Sequence, residues 1–118
     1  MRVDKRKYNE LRPITIETHV LDYPGGSVMI TCGRTKVLVS VMIEETVPTF
    51  KKNSKEGWVT AEYNMLPASS PDRIKRERFK VSGRTYEIQR LIGRALRMAV
   101  DLKVLGERSL LVDCDVIQ

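Results

Sequence analysis

The residues from Ser82 to Thr85 (Ser-Gly-Arg-Thr) have the types and spacing best suited to chemistry on an anion. They precede the strongest helical pattern of the chain, and the first turn of a helix offers unpaired amide donors and a partial positive charge. Gly83 lets a ligand approach the backbone closely, and Arg84 adds a fork of donors that matches an oxyanion. The segment therefore predicts a phosphate site, with a simple helix cap carrying a surface arginine as the alternative.

A strongly basic segment leads into this motif. Residues 72–84 contain six lysines and arginines against two carboxylates, and the N-terminal arm, residues 2–12, is also basic. Clustered cations suit a polyphosphate partner, because each neutralised phosphate releases condensed counterions. A solvated basic face without a partner is the alternative. The whole chain has 21 Lys and Arg against 15 Asp and Glu, a net charge of +6.

Three further groups of side chains are less specific. His19 has no Ser, Cys or carboxylate at a triad spacing, which favours a surface histidine over a general base. Asp113 and Asp115 are two apart on a predicted strand, so their carboxylates share a face and could hold Mg²⁺. A polar sheet face against the arginine-rich helix is the alternative. Trp58 and Tyr63 are expected to fill the core, with base stacking as the other interpretation.

Length and composition exclude several classes of protein. No stretch reaches the roughly 20 apolar residues of a membrane-spanning helix, and the N-terminal residues are charged, so neither membrane insertion nor secretion is expected. Cys32 and Cys114 lie outside any Cys-x-x-Cys pair, which argues against a disulfide scaffold or a zinc site. Two buried free thiols in a reducing cytoplasm are expected instead. The length of 118 residues predicts one domain over residues 1–118.

The hydrophobic pattern predicts the elements that position these residues. Alternating apolar side chains predict five strands, over residues 14–20, 28–32, 36–43, 58–65 and 109–117. The second and third strands are expected to form a hairpin through Gly33-Arg34-Thr35, and the third to be buried on both faces. The predicted fold is α+β: a mixed or antiparallel sheet of about five strands packed on one long amphipathic helix.

The long helix is predicted from apolar residues at helical spacing after the basic segment. It is expected to begin near Ser82 or Thr85 and to end at Gly106, which can take the left-handed conformation common at a helix C-terminus. Arg97 and Asp101 lie at ion-pair spacing on its polar face.

Five stretches of the sequence resemble the N-terminal half of the bacterial ribonuclease PH family. They are LRPITIE (residues 11–17), GSVMITCGRTKVLVSV (26–41), GWVTAEYNMLP (57–67), SGRTYEIQRLIGRALRMAVDL (82–102) and LGERSLLVDCDVIQ (105–118). GWVTAEYNMLP and GRTYEIQRLIGRALR are the most specific blocks. The family commonly has an arginine directly after Met-Leu-Pro, where this chain has Ala68, and its loop to the Gly-Arg-Thr motif is slightly longer.

The resemblance implies a phosphorolytic 3′-to-5′ exoribonuclease, a tRNA nucleotidyltransferase that trims the 3′ ends of transfer RNA precursors. Inorganic phosphate is the co-substrate, and the terminal nucleotide leaves as a nucleoside diphosphate. The family's phosphate-binding arginine corresponds to Arg84, and its RNA-contacting arginines correspond to Arg73, Arg76 and Arg78 as a group. The family also uses Mg²⁺, and it assembles as a cytoplasmic hexameric ring of dimers.

Members of this family continue beyond the part that this chain resembles. The continuation contains a Gly-Thr-Arg stretch that completes the phosphate site and an acidic residue for catalysis and metal binding. The resemblance therefore implies no catalytic or Mg²⁺-binding residue in this half, little or no turnover by the 118-residue chain alone, and a last strand that lacks a neighbour. The alternative function is a non-catalytic RNA-binding or ring-assembly module with salt-sensitive RNA affinity.

Overall fold

Five strands form one mixed sheet, and a long helix packs on one of its faces. The computed structural model describes residues 2–78 and 80–118. The strands are β1 (Ile14–Thr18), β2 (Gly26–Cys32), β3 (Thr35–Glu44), β4 (Trp58–Met65) and β5 (Ser109–Val116). The helices are α1 (Gly83–Ala99) and α2 (Leu102–Leu105), and single 3₁₀ turns cover Thr49–Lys51 and Pro67–Ser69. The predicted α+β fold is confirmed.

The strand order across the sheet is β1-β2-β3-β5-β4. β1, β2 and β3 pair antiparallel in sequence, which confirms the predicted hairpin, and β5 is antiparallel to β3. β4 runs parallel to β5, with Tyr63 opposite Cys114. Parallel neighbours need a crossover connection, and α1 supplies it. β5 therefore lies between β3 and β4, and the prediction that the last strand lacks a neighbour is wrong.

The core lies where α1 covers the apolar face of β4 and β5. Val59, Val112 and Cys114 are buried there, and Ile92 and Leu96 of α1 pack against them. Burial also raises the pKa of the Cys114 thiol, with smaller contributions from the neighbouring carboxylates of β5.

The central strand is less buried than its sequence predicts. β3 lies in the middle of the sheet, but its side chains are half-buried or exposed, and Ile43 retains 53% of its exposure. The reason is that α1 packs mainly on β4, so the β1–β3 part of the sheet receives little cover from the helix, although Val37, Val39 and Val41 still pack against the core. The expectation of a third strand buried on both faces is therefore wrong. Cys32, on neighbouring β2, is likewise only half-buried, so one of the two expected buried thiols is corrected.

Two polar side chains of α1 satisfy the free edge of β4. The backbone N–H of Tyr63 donates to Gln89 Oε1 at 3.1 Å, and Arg97 Nη1 donates to the carbonyl oxygen of Val59 at 2.8 Å. The Arg97 guanidinium also lies 4.3 Å from the centroid of the Trp58 ring. Because an edge strand presents backbone groups that no other strand pairs, these contacts fix α1 against β4.

The long helix ends earlier than the sequence predicts, at Ala99 rather than at Gly106. Asp101 breaks the helical run, because its carboxylate caps the short helix α2 by accepting the N–H groups of Lys103 and Val104 at 3.1 and 3.2 Å. Gly106 takes a φ of 71° as the C-cap of α2. The expected ion pair between Arg97 and Asp101 does not form, since both side chains have other partners.

The Arg97→Met variant is expected to lower the free energy of unfolding by about 2 kcal/mol. The variant loses a charged hydrogen bond to a backbone carbonyl and the cation–π contact with Trp58, while methionine keeps much of the aliphatic volume. Urea unfolding followed by circular dichroism measures the change. Arg94→Met, an exposed position on the same helix, is the matched control and is expected within about 0.5 kcal/mol of the unmodified chain. Equal stabilities of the two variants would show that the contacts of Arg97 with Val59 and Trp58 do not contribute to stability.

Candidate functional site

The N-terminus of α1 is capped as the sequence predicts. Ser82 has an extended backbone, and its Oγ accepts the backbone N–H of Thr85 at 3.2 Å. The hydroxyl groups of Ser82 and Thr85 are also 3.1 Å apart. Nothing lies within 4 Å of the position a Cβ would take on Gly83, so the space in front of the first turn is open. The helix start is therefore fixed by its own side chains and remains accessible to a ligand.

A cavity of about 370 Å³ lies between this helix start, the ends of β4 and β5, and the basic segment. Its lining residues are Tyr63, Asn64, Met65, Ile74, Lys75, Arg76, Glu77, Arg78, Ser82, Arg84, Thr85 and Asp115. Four of these side chains are cationic and two are carboxylates, so the cavity has a net positive lining. Such a lining attracts an anion with several oxygens.

Strand pairing explains why distant segments meet at this cavity. β4 and β5 are parallel, so Met65 and Val116 end side by side at one edge of the sheet. The chain then turns through the buried Pro67. The N–H of Ile74 donates to the carbonyl oxygen of Pro67 at 2.9 Å, which draws the basic segment back against the strand ends. α1 begins beside this edge because it returns the chain to the start of β5.

Three of the four arginines singled out in the sequence line the cavity together. Arg84 is exposed at the helix start, and among the described residues no carboxylate lies within salt-bridge distance of its guanidinium. Arg76 and Arg78 reach the cavity from the basic segment, whereas Arg73 is exposed and does not line it. Phe79, which also belongs to this segment, lies outside the described residues. Phosphate binding by Arg84 and RNA contacts by the other three stay predictions.

Sequence reasoning missed the role of Glu77. Its Oε1 accepts the backbone N–H of Ser82 at 3.1 Å, so a carboxylate of the chain itself lies against the helix start. Hydrogen bonds from Ser82 and Thr85 lower the pKa of Glu77, which keeps its carboxylate charged at neutral pH. In the sequence, Glu77 is only one charged residue within a basic segment. Its role arises because this segment folds back against the start of α1.

The two aspartates of β5 share a face, as predicted, but only Asp115 lines the cavity. Burial raises the pKa of Asp115, the nearby Asp113 raises it further, and Arg76 lowers it. Both carboxylates lie on the sheet face opposite α1, because α1 packs on the Val112 side of the strand. The interpretation of a polar face against the arginine-rich helix is therefore wrong.

Of the remaining candidate residues, His19 and Trp58 lie apart from the cavity, and Tyr63 is one of its lining residues. His19 is exposed beyond the end of β1 with a φ of 57°, so the predicted first strand ends at Thr18 rather than Val20. Trp58 is half-buried at the other end of β4, between Arg97 and the 3₁₀ turn that precedes the strand. Tyr63 lines the cavity. Within residues 2–78 and 80–118, none of the helices is long and apolar enough to span a bilayer.

Comparison with known proteins yields a consistent set of relatives. Residues 10–118 match the family described as "3′ exoribonuclease family, domain 1". The chain is 56% identical over 120 residues to ribonuclease PH of Halalkalibacterium halodurans and 54% identical over 120 residues to ribonuclease PH of Bacillus subtilis. These alignments cover 100% of this chain but 47% and 49% of the relatives, so the chain spans about half the length of the curated relatives it matches.

Solved structures show the same fold. One chain of an Archaeoglobus fulgidus exosome, described as having RNA bound to the active site, superposes with a TM-score of 0.81 at 24% identity, covering 99% of this chain and 48% of that one. A chain of an archaeal exosome core superposes with a TM-score of 0.75 at 22% identity, covering 99% and 44%. At these identities the structural match concerns the fold alone.

Proposed function

Because this chain belongs to the 3′ exoribonuclease family, we propose that it forms the phosphate-holding half of a phosphate-dependent 3′-to-5′ exoribonuclease. The proposed substrates are transfer RNA 3′ ends and inorganic phosphate. The observation that carries the proposal is the position of Arg84, exposed and without a carboxylate partner among the described residues, at a capped helix start in a cationic cavity. The identity of 54–56% to ribonucleases PH of two bacteria supports it.

In the proposed reaction, an oxygen of inorganic phosphate attacks the phosphorus of the last phosphodiester bond. The bond from that phosphorus to the 3′-oxygen of the preceding nucleotide breaks, and this oxygen takes up a proton. The terminal nucleotide leaves as a nucleoside diphosphate, because the attacking phosphate stays on its 5′ side. Arg84 and the first-turn amides hold and orient the attacking phosphate, so that it lies in line with the bond that breaks.

The other cavity cations are placed to hold the substrate. Arg76 and Arg78 line the same cavity as Arg84, and each can neutralise one phosphate of the RNA next to the reacting one. Two phosphate groups approach each other in this reaction. The positive charge of these arginines therefore strengthens substrate binding and also lowers the activation barrier.

The described residues do not assemble a complete site for Mg²⁺. No group of three His, Cys, Asp or Glu side chains in residues 2–78 and 80–118 could hold a metal ion. Asp115 and Glu77 line the cavity, but Mg²⁺ needs near-octahedral oxygen coordination, and the second of these carboxylates is already bonded to Ser82. We therefore assign no step to a metal in this chain. The metal ligands and the catalytic acidic group are proposed to lie outside it. The proposed assembly of the full-length protein is a hexameric ring of dimers.

The experiment that tests this function uses RNA with a 3′ extension and a radioactive label in its terminal nucleotide. The full-length protein that carries this chain is incubated with and without inorganic phosphate, and the released product is identified by thin-layer chromatography. A labelled nucleoside diphosphate that depends on phosphate supports the proposal. Release of a nucleoside monophosphate without phosphate would refute it. RNA binding with no release by the protein in its full-length form would favour the non-catalytic RNA-binding module.

Replacing Glu77 with glutamine is expected to strengthen phosphate binding by about fivefold. The carboxylate of Glu77 lies against the helix start, so its negative charge opposes the binding of an anion there. Glutamine keeps an oxygen that can accept the N–H of Ser82, so the helix cap is preserved. The dissociation constant for inorganic phosphate, measured by titration calorimetry at pH 7, checks the effect.

Glu107→Gln removes the same charge from an exposed position at the other end of the sheet. This control is expected to change phosphate affinity by less than about 1.5-fold, since solvated charges separated by more than about 10 Å are largely screened at moderate salt. Equal effects of the two variants would show that Glu77 acts through net charge alone.

A further inference from the structure

We propose that a second cationic cleft, at the same end of the sheet as the Arg84 cavity, holds the phosphate backbone of the RNA upstream of its 3′ end. This inference rests on the proposed function. The cleft lies between the N-terminal arm and the β2–β3 turn, and four arginines line it. The arginines are Arg2, Arg6, Arg12 and Arg34. The only lining carboxylate in the described residues is Asp4, which is already paired with Arg6.

The sheet places this cleft on the same edge as the cavity. The β2–β3 turn follows Cys32, and the start of β3 pairs with the end of β5, since Val37 lies opposite Val116. The end of β4 lies opposite the same Val116. β2 and β4 are three strand spacings apart, so the two clusters are separated by roughly 15 Å at about 4.8 Å per spacing. A strand of stacked nucleotides at about 3.4 Å each would cover this distance with four or five residues.

The turn is tied to the end of β5. The side chain of Gln118 donates from Nε2 to the carbonyl oxygen of Arg34 at 2.7 Å, and the N–H of Lys36 donates to the carbonyl oxygen of Gln118 at 2.9 Å. Asp115, three residues before Gln118, lines the first cavity. The spacing between the two cationic clusters is therefore set by the sheet rather than by a mobile loop.

The arginines of the cleft divide into two pairs. Arg2 and Arg6 donate to backbone carbonyls of the arm, including that of Lys7 at 3.0 Å for Arg2. These two therefore shape the arm. Arg12 and Arg34 are exposed, and no side-chain acceptor for either lies within the described residues. The stem of Arg12 packs over the turn, because a Cβ on Gly33 would lie 3.0 Å from its Cδ. These two guanidinium groups are the ones available to a ligand.

The lining favours phosphates over bases. Its apolar members are Val3, Pro13 and Cys32, and no aromatic ring among the described residues lines the cleft for a base to stack on. Binding is therefore sequence-independent and salt-sensitive. A protein partner would need carboxylates spaced to match the arginines, whereas a phosphate backbone supplies a repeating negative charge that matches four arginines and one already paired carboxylate.

The test measures RNA affinity without phosphate, so that no turnover occurs. Fluorescence anisotropy compares a 12-nucleotide with a 3-nucleotide single-stranded RNA, which is too short to reach from one cluster to the other, each carrying a 5′ label, for the unmodified protein and for R12Q/R34Q. The double variant is expected to bind the longer RNA about tenfold more weakly and the shorter RNA within about twofold of the unmodified protein. The slope of log affinity against log salt for the longer RNA should fall by about 1.4, at about 0.7 per lost single-strand phosphate contact.

K103Q/R108Q is the matched control, because it removes two exposed charges near the start of β5, at the opposite end of the sheet. It should leave the slope unchanged. Circular dichroism confirms the fold, and the single variants R12Q and R34Q should each show a partial loss for the longer RNA. An unchanged affinity, or an equal loss for both RNA lengths, would overturn the proposal. Unchanged RNA binding with altered sedimentation would overturn it in favour of a protein contact.

This result is separable from the outcome for the proposed function. Phosphate-independent product release would refute the phosphorolytic mechanism but leave the length dependence of binding intact. Loss of length dependence would refute the second cleft while phosphorolysis at Arg84 could still be observed.

Discussion

The Arg84→Gln variant is expected to lose 10²- to 10³-fold in kcat/KM for inorganic phosphate, in the full-length protein that carries this chain. Glutamine keeps a polar end but removes the charge and the fork of donors that an oxyanion needs. Loss of one preorganised donor to a developing oxyanion costs about this factor in other enzymes. The structure supplies no neighbouring residue on α1 that could replace it, since the next arginine of the helix, Arg90, bonds to Glu87 and does not line the cavity.

The measurement is the initial rate of nucleoside diphosphate release against phosphate concentration at saturating RNA. We expect KM for phosphate to rise as well as kcat to fall, and RNA affinity in the absence of phosphate to change by less than about threefold, since one cation among several is lost. Arg94→Gln, nearly three turns further along α1 at an exposed position, is the control and should keep both parameters. If the variant lost only RNA affinity, Arg84 would bind the RNA and not the attacking phosphate.

The Gly57→Ala variant is expected to lower the free energy of unfolding by about 2–3 kcal/mol. A Cβ at this buried position would lie 2.6 Å from the carbonyl oxygen of Gly106 and would collide with the side chain of Leu105. A side chain can move aside, but the Gly106 carbonyl belongs to the backbone that closes α2, so the strand start must shift. The N–H of Gly57 also donates to the carbonyl oxygen of Leu102 at 2.8 Å, and that bond would weaken.

Gly26→Ala makes the same chemical change at the start of β2, where nothing lies within 4 Å of the added Cβ. It should remain within about 1 kcal/mol of the unmodified chain. Urea unfolding of both variants gives the comparison. If Gly57→Ala were as stable as Gly26→Ala, the close approach between the start of β4 and the α2 turn would not exist in solution.

The local pattern of the sequence predicts most elements because each signal is short-ranged. The alternation from Trp58 to Met65 gives β4 with its observed bounds, and Ser82 marks the helix start through its capping hydroxyl. The end of α1 is predicted too late, because the left-handed cap expected at Gly106 closes the short helix α2 and not α1. The competing signal is Asp101, whose carboxylate caps a new helix, while Arg97 donates to the carbonyl oxygen of Val59.

The candidate site is only partly predictable for a different reason. Arg84 is recognisable, because a helix start and a basic neighbourhood are both local features. Asp115 and Tyr63 join the cavity through the parallel pairing of β4 with β5, which no short window of sequence contains. Glu77 joins it through the fold-back of the basic segment, which depends on the bond between Ile74 and Pro67. Long-range pairing thus decides the part of the site that sequence reasoning missed.

The central claim is that the start of α1 and Arg84 bind inorganic phosphate, and NMR tests it most directly on the 118-residue chain, for which turnover is not needed. Phosphate is titrated into ¹⁵N-labelled protein while the amide and arginine Nε–H signals are followed. We expect saturable shifts at the Gly83 and Arg84 amides and at the Arg84 side chain, and smaller amide shifts in Arg84→Gln. Shifts that do not saturate, or that spread over all basic residues alike, would contradict it.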